Sequence, residues 1–171
     1  SFYQVNHDTA ELIYEKAAEY ACLTGNEAVL DLYCGTGTIG LTMAKKAKKI
    51  IGVEVVPQAV EDAKKNAEIN GIKNAEFICG DASFAADKIK EENIKIDTVI
   101  VDPPRKGCSK ELLHTLCDIS PPKIVYISCD SATLARDSKI LSELGYNLTE
   151  ATPADMPPRP PHCESATVFA S

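Results

Sequence analysis

The sequence has no C-x-x-C pair, no apolar run long enough to span a bilayer, no signal-peptide pattern, no internal repeat and no surplus of positive charge. Each lack removes a class of protein. Seven cysteines, at 22, 34, 79, 108, 117, 129 and 163, are odd in number and scattered, which fits neither a disulfide framework nor a zinc site. Most are expected to be reduced, buried, small apolar residues, and no bound metal is expected. Without a targeting or membrane-spanning segment the expected compartment is the cytoplasm. The formal net charge of -7 argues against this chain alone gripping nucleic acid, because phosphate contacts need clustered Lys and Arg. The basic run Lys45-Lys46-Ala47-Lys48-Lys49 reads as the end of a helix, where cations complement the dipole.

What is there is an ordinary composition in 171 residues, enough for one domain with its own core. From Asp8 to about Cys22, Leu12, Ile13, Ala17 and Tyr20 recur at helical spacing, with Asp8 or Thr9 as the expected cap. Short apolar runs then alternate with helical stretches: "AVLDLY", 38–49, "IIGVEV", 57–70, "AEFIC", 81–92, "DTVIVD", 109–119, "KIVYIS", 131–144. This is the rhythm of an α/β fold, a parallel sheet buried on both faces by helices. Gly71 and Gly145 fall where helix C-caps would sit. "YNLTEATPAD" and "CESATVFAS", with no helix between them, read as an antiparallel hairpin closing the sheet.

Ligands of open α/β sheets bind at the carboxyl ends of the strands. Here those ends carry Asp31 with Gly35-Thr36-Gly37, then Glu54, Gly80-Asp81, Asp102-Pro103-Pro104-Arg105 and Ser128-Cys129-Asp130. An acid after a strand often only caps the next helix, and Pro-Pro often only ends a strand. Five polar ends along one edge favour a site. "GTGTIG" matches the dinucleotide pattern G-x-G-x-x-G, yet Asp31, four residues ahead of it, would repel a pyrophosphate and could meet an ammonium group. S-adenosylmethionine offers both an ammonium and a ribose. Gly35 and Gly37 would then admit its amino-acid end, Glu54 would accept from the ribose hydroxyls, and Asp81 would lie near the adenine.

Cys129 stands between a strand and a helix that Asp130 or Ser131 can cap, where the helix dipole favours a thiolate and the Asp130 charge opposes it. A nucleophilic cysteine beside a methyl donor fits methylation at carbon 5 of uracil. Thiolate addition to carbon 6 makes carbon 5 nucleophilic, and a base then removes the carbon 5 proton. His162 and Glu164, just before the last strand, are the candidate bases, Glu164 preferred.

"FYQVN", "VLDLYCGTGTIGL", "GVEVVPQAVEDAKKNAEINGIKNAEF", "DPPRKG", "YISCDSATLARD" and the tail with Asp155-Met156 and His162-Cys163-Glu164 together resemble the RNA 5-methyluridine methyltransferases, in order and over nearly the whole chain. The resemblance implies a Rossmann-like class I S-adenosylmethionine-dependent methyltransferase fold, with a mostly parallel seven-stranded sheet. It implies Gln4, Tyr33, Glu54, Asp81 and Asp102 as donor-binding positions, Cys129 as nucleophile and Glu164 as proton acceptor. The substrate it implies is a uridine flipped out of its stack, in 23S ribosomal RNA ahead of transfer RNA. It also implies RNA-binding parts outside this stretch, so residues 1–171 read as the catalytic domain of a longer enzyme. Asp130-Ser131 stands where the family usually has Asn-Pro, Pro157 where Phe is usual and Pro160 where Thr is usual, which stiffens the loop before Glu164. Two other readings stay open: a fragment that holds S-adenosylmethionine without turnover, and an NAD-dependent oxidoreductase resting on "GTGTIG" alone. Arg105, Lys106 and Arg136 are candidate phosphate contacts or ion-pair partners.

Overall fold

The computed structural model describes the backbone of residues 2–154 and 164–171, and the side chains of residues 11–153 and 165–171. Strands β1 (Ala28–Leu32), β2 (Lys49–Glu54), β3 (Ala75–Cys79), β4 (Thr98–Val101), β5 (Lys123–Ser128), β6 (Asn147–Ala154) and β7 (Glu164–Ala170) form one sheet in the order β3-β2-β1-β4-β5-β7-β6. The first five are parallel, and β7 runs antiparallel to both of its neighbours. The expected α/β class, the parallel sheet and the antiparallel pair at its end are all present.

Helices cover both faces because the strands are apolar on both. On one side α4 (Ala82–Glu91), α5 (Lys110–Ile119) and α6 (Ser131–Glu143) pack Ala85, Ile89, Leu113, Leu116 and Leu141 against Leu30, Val101, Tyr126 and Phe169. On the other, α1 (Phe2–Ala21) and α2 (Thr38–Met43) pack Ile13, Ala17 and Met43 against Val29, Ile100, Val125 and Val168. There too, α3 (Pro57–Ile69) brings Val60, Ala63 and Ala67 to Phe77. Asn70 and Leu144 cap α3 and α6, and Gly71 and Gly145 follow them. The Lys123 ammonium, at the start of β5, donates to the carbonyls of Tyr20 (3.0 Å) and Ala21 (3.2 Å), closing the end of α1.

Three expectations need correction. α1 already runs from Phe2, so Asp8 and Thr9 lie inside it rather than capping it; residues 2–21 hold no Gly or Pro to delay its start. The basic run does not end a helix: α2 stops at Met43, a 3₁₀ turn follows over Ala44–Lys46, and Lys49 opens β2, where it pairs with Glu76 at 3.0 Å. These lysines stand at the amino ends of the strands, away from the ligand edge. The cysteines are not mostly buried: Cys34 and Cys108 are, Cys117 and Cys129 are half-buried, and Cys22 and Cys79 are exposed. All six are free thiols, and Cys163 lies outside the described residues. Among the described residues no helix is long and apolar enough to cross a membrane, and no cluster of His, Cys, Asp and Glu is built to hold a metal.

Candidate functional site

Register fixes where the strand ends stand. Ile78, Val53, Leu32, Val101 and Tyr126 align in one row from β3 to β5. Glu54 and Asp102 each follow that row by one residue, Asp81 and Cys129 by three. With strands about 4.8 Å apart, Glu54 and Asp102 lie about 10 Å apart on either side of β1, and Cys129 one strand further along.

At the ends of β1, β2 and β3 the structure opens a cavity of about 260 Å³, lined by Tyr33, Glu54, Val55, Asp81, Ser109 and Leu112 among others. Tyr33, Glu54 and Asp81 were expected together; Val55, Ser109 and Leu112 were not singled out, because residues that only line space leave no signature in sequence. Glu54 is already anchored, one oxygen accepting from the Gly35 N–H (3.1 Å) and the other from the Val56 N–H (3.0 Å). Its carboxylate therefore points where the two turns meet. Asp81 both lines the cavity and caps α4, accepting from the Phe84 N–H at 2.8 Å. Tyr33 takes φ +60°, the left-handed region that a bulky residue rarely occupies, and burial pushes its phenol above the ordinary range.

Asp31 is not an open strand end. It is fully buried beneath α2, with Oδ2 accepting from the Gly40 N–H at 3.0 Å and Oδ1 without a partner. Burial first, then the hydrogen bond from Gly40 in opposition and the charge of Asp102, leave its carboxyl raised to about 7. The two glycines also part company. Gly35 has open space around it, whereas a side chain on Gly37 (φ +83°) would lie 2.9 Å from the Phe77 ring and 3.2 Å from Ala63. Gly37 is there for packing between the turn and α3.

Cys34 and Cys108 are buried thiols raised to about 12 by desolvation, which suits packing and not nucleophilic attack. Cys129 is different: it is half-buried and stands at the ligand edge, after β5. The Ser128 hydroxyl donates to the Asp130 carbonyl (2.8 Å) and accepts from the Asp130 N–H (3.1 Å), holding the turn around Cys129. The Asp130 carboxylate accepts from the N–H groups of Ala132 (3.0 Å) and Thr133 (2.9 Å) and so caps α6; these bonds hold it below the usual carboxylate range. Asp130 thus does the capping where the family pattern has Asn.

The β5–β7 register pairs Lys123 with Ala170 and ends with Ser128 opposite Ser165. Just beyond that last rung stand Cys129, in the bend after β5, and, on the other strand, Glu164, the first residue of β7, which pairs with Ala154 of β6. The side chains of Gln4 and Glu164, and residues His162, Pro157 and Pro160, lie outside the described residues. Asp102 is half-buried after β4. Arg136 proves to be an ion-pair partner, 2.7 Å from Asp137, while Arg105 and Lys106 are exposed. Sequence reasoning missed Asp137 itself, which is fully buried. Its signal was an acid on the apolar stripe of α6, in line with Leu134 and Leu141.

The chain resembles known proteins over its whole length. It is 51% identical over 170 residues to an uncharacterized RNA methyltransferase of Bacillus cereus, covering 99% of this chain and 37% of that protein. The crystal structure of Pyrococcus abyssi tRNA (uracil-54, C5)-methyltransferase in complex with S-adenosyl-L-homocysteine superimposes with a TM-score of 0.76 at 36% identity, covering 95% of this chain and 38% of that one. Precorrin-6Y C5,15-methyltransferase of Geobacter metallireducens, with a TM-score of 0.75 and 13% identity, shares the fold alone. The family model described as tRNA (uracil-5-)-methyltransferase matches residues 1–170. With the methyltransferase sheet order, the strand-end carboxylates and the cysteine after β5 in place, the chain belongs to the tRNA (uracil-5-)-methyltransferase family.

Proposed function

We propose that this chain is the catalytic part of a longer cytoplasmic enzyme that methylates carbon 5 of a uridine in RNA, using S-adenosylmethionine and a covalent adduct at Cys129. The observation that carries the reading is that Cys129 and Glu164 both adjoin the last β5–β7 rung, Ser128 opposite Ser165, at the same sheet edge as the cavity lined by Glu54 and Asp81. The chain spans 37% of its Bacillus cereus relative, which supports further domains that grip the RNA.

The residues fit the donor. Asp31 has a buried oxygen without a partner, suited to an ammonium group; Glu54 is held by two N–H groups with lone pairs left for ribose hydroxyls. Tyr33 and Asp81 line the same cavity, with Asp102 and Gln4 as further contacts and Gly35 leaving room. S-adenosylmethionine supplies an electrophilic methyl group. The Cys129 thiolate forms a bond to carbon 6 of the uracil, and the electron pair of the 5,6 double bond makes carbon 5 the atom that takes the methyl. Glu164 then accepts the proton from carbon 5, the double bond re-forms, and the carbon–sulfur bond breaks to return the thiolate. The nucleophile and the base must therefore share one pyrimidine, and Cys129 and Glu164 adjoin the same last rung of the β5–β7 pair.

Intact-protein mass spectrometry after mixing with S-adenosylmethionine and 5-fluorouridine RNA tests the reading, because fluorine cannot leave as a proton. A mass increase of one RNA plus a methyl is expected for the wild type and none for Cys129→Ala. No adduct in either the 171-residue chain or the longer protein would overturn it; an adduct in the longer protein alone would mean that this chain by itself only holds the donor. Run with 23S ribosomal fragments and with transfer RNA, the same assay separates the ribosomal substrate proposed from sequence from the transfer RNA named for the Pyrococcus abyssi relative. A dinucleotide reading has lost its footing: the glycine turn is preceded by a buried carboxylate, Asp31, one oxygen of which has no partner, and the sheet carries an antiparallel β7.

A further inference from the structure

One fully buried carboxylate, Asp137 on α6, takes no part in the chemistry above. Its Oδ2 accepts from the Tyr126 hydroxyl at 2.6 Å and from the Cys108 N–H at 2.8 Å. Its Oδ1 accepts from Arg136 Nε at 2.9 Å and Nη2 at 2.7 Å. The same Nη2 donates to the carbonyls of Lys106 (2.9 Å) and Cys108 (3.1 Å). Three segments meet here: β5 three residues before Cys129, the helix that Cys129 leads into, and the loop 102–108 after β4. The loop is pressed onto this network. At Gly107 (φ +74°), a side chain would stand 2.5 Å from Arg136 Nη2 and 2.7 Å from Asp137 Oδ2, and the Gly107 N–H closes a turn on the Pro104 carbonyl at 2.8 Å.

We propose that Asp137 and Arg136 are positioning residues, which fix the backbone of loop 102–108, with Asp102 at its head, against the strand–helix junction that holds Cys129. The inference rests on Cys129 being the nucleophile. Neutralising a buried acid takes one cation, but the Arg136 guanidinium does more: it also holds two loop carbonyls, a set that the point charge of a lysine cannot reach together. Asp102 and Cys129 follow neighbouring strands, about 4.8 Å apart, so a small shift of the loop changes the gap that the pyrimidine must enter. Misplacement by about 1 Å lowers such rates by on the order of 100-fold.

Arg136→Lys keeps the charge beside Asp137 and gives up the forked contacts. In the full-length enzyme it is expected to bind S-adenosylmethionine as the wild type does by calorimetry, and to melt within a few degrees of it. Its adduct with 5-fluorouridine RNA is expected to form about 10- to 100-fold more slowly at saturating RNA, and amides of residues 105–108 to exchange at least about tenfold faster. Tyr126→Phe, which leaves the loop carbonyls bonded, is expected to slow adduct formation less than Arg136→Lys does. Wild-type adduct rates and unchanged loop exchange in Arg136→Lys would overturn the proposal, since Arg136 would then only neutralise Asp137. If the wild type gives no adduct, the methyl-transfer reading fails, and unchanged exchange in Arg136→Lys still rejects the positioning role on its own.

Discussion

Asp31 lies in an apolar strand with one carboxylate oxygen bonded to Gly40 and the other without a partner. Its carboxyl is raised from 3.8 to about 7, so between those values the folded chain holds a proton that the unfolded chain releases. Stability from this residue is therefore highest below pH about 4, falls as pH rises to about 7, and is flat beyond. Asp31→Asn cannot ionise and is expected to lose that slope, gaining on the wild type by at most about 4 kcal/mol at pH 8 in urea melts. Identical pH profiles for the two proteins would show that Asp31 is ionised without penalty. A cation docked on Oδ1 favours the charged form, so binding of S-adenosylmethionine is expected to tighten over the same interval, and calorimetry at pH 5.5 and 8 measures it. Glu54, Asp81 and Cys129 were legible because a residue just past a strand must stand at the edge. The burial of Asp31 was not, because it depends on Gly40, nine residues on, closing over it.

Ser109 caps α5 by accepting from the Leu112 N–H at 3.2 Å, and it lines the cavity. Ser109→Ala is expected to cost about 1 kcal/mol, a fall of about 2–4 °C in melting temperature for a chain of this size; calorimetric melting of the two proteins decides it. Most elements could be read because short apolar strands are bounded by turn residues and helices by caps such as Asp81, Ser109 and Asp130. α2 could not be bounded from its own residues. Ala, Lys and Leu favour helix, but the Asn74 side-chain amide donates to the carbonyls of Ala44 (2.8 Å) and Ala47 (2.9 Å) from outside the segment and ends it early. The partner is about thirty residues away, beyond the reach of any local pattern.

Across the whole molecule, β1 and β4 are buried along their entire length at the centre of the sheet, while β3 and β6 form its two edges. Native-state amide exchange is expected to be slowest in β1, β4 and β5 and fastest in β3 and β6. Protection of β3 equal to that of β1 would mean that the sheet opens only as a unit. The parallel sheet and the closing pair of strands were legible, since they follow from the alternation of elements. The insertion of β7 between β5 and β6 was not, because long-range pairing chooses it. That insertion ties the core to the edge. Phe169 packs with Tyr126 on one face, while Ala166 and Val168 pack with α1 and α2 on the other. Sliding β7 by one residue would turn each of these side chains to the wrong face. The same strand begins at Glu164, beside the rung that precedes Cys129, so the packed interior acts as a ratchet stop for what stands at the ligand edge, and a misfit far below would surface there.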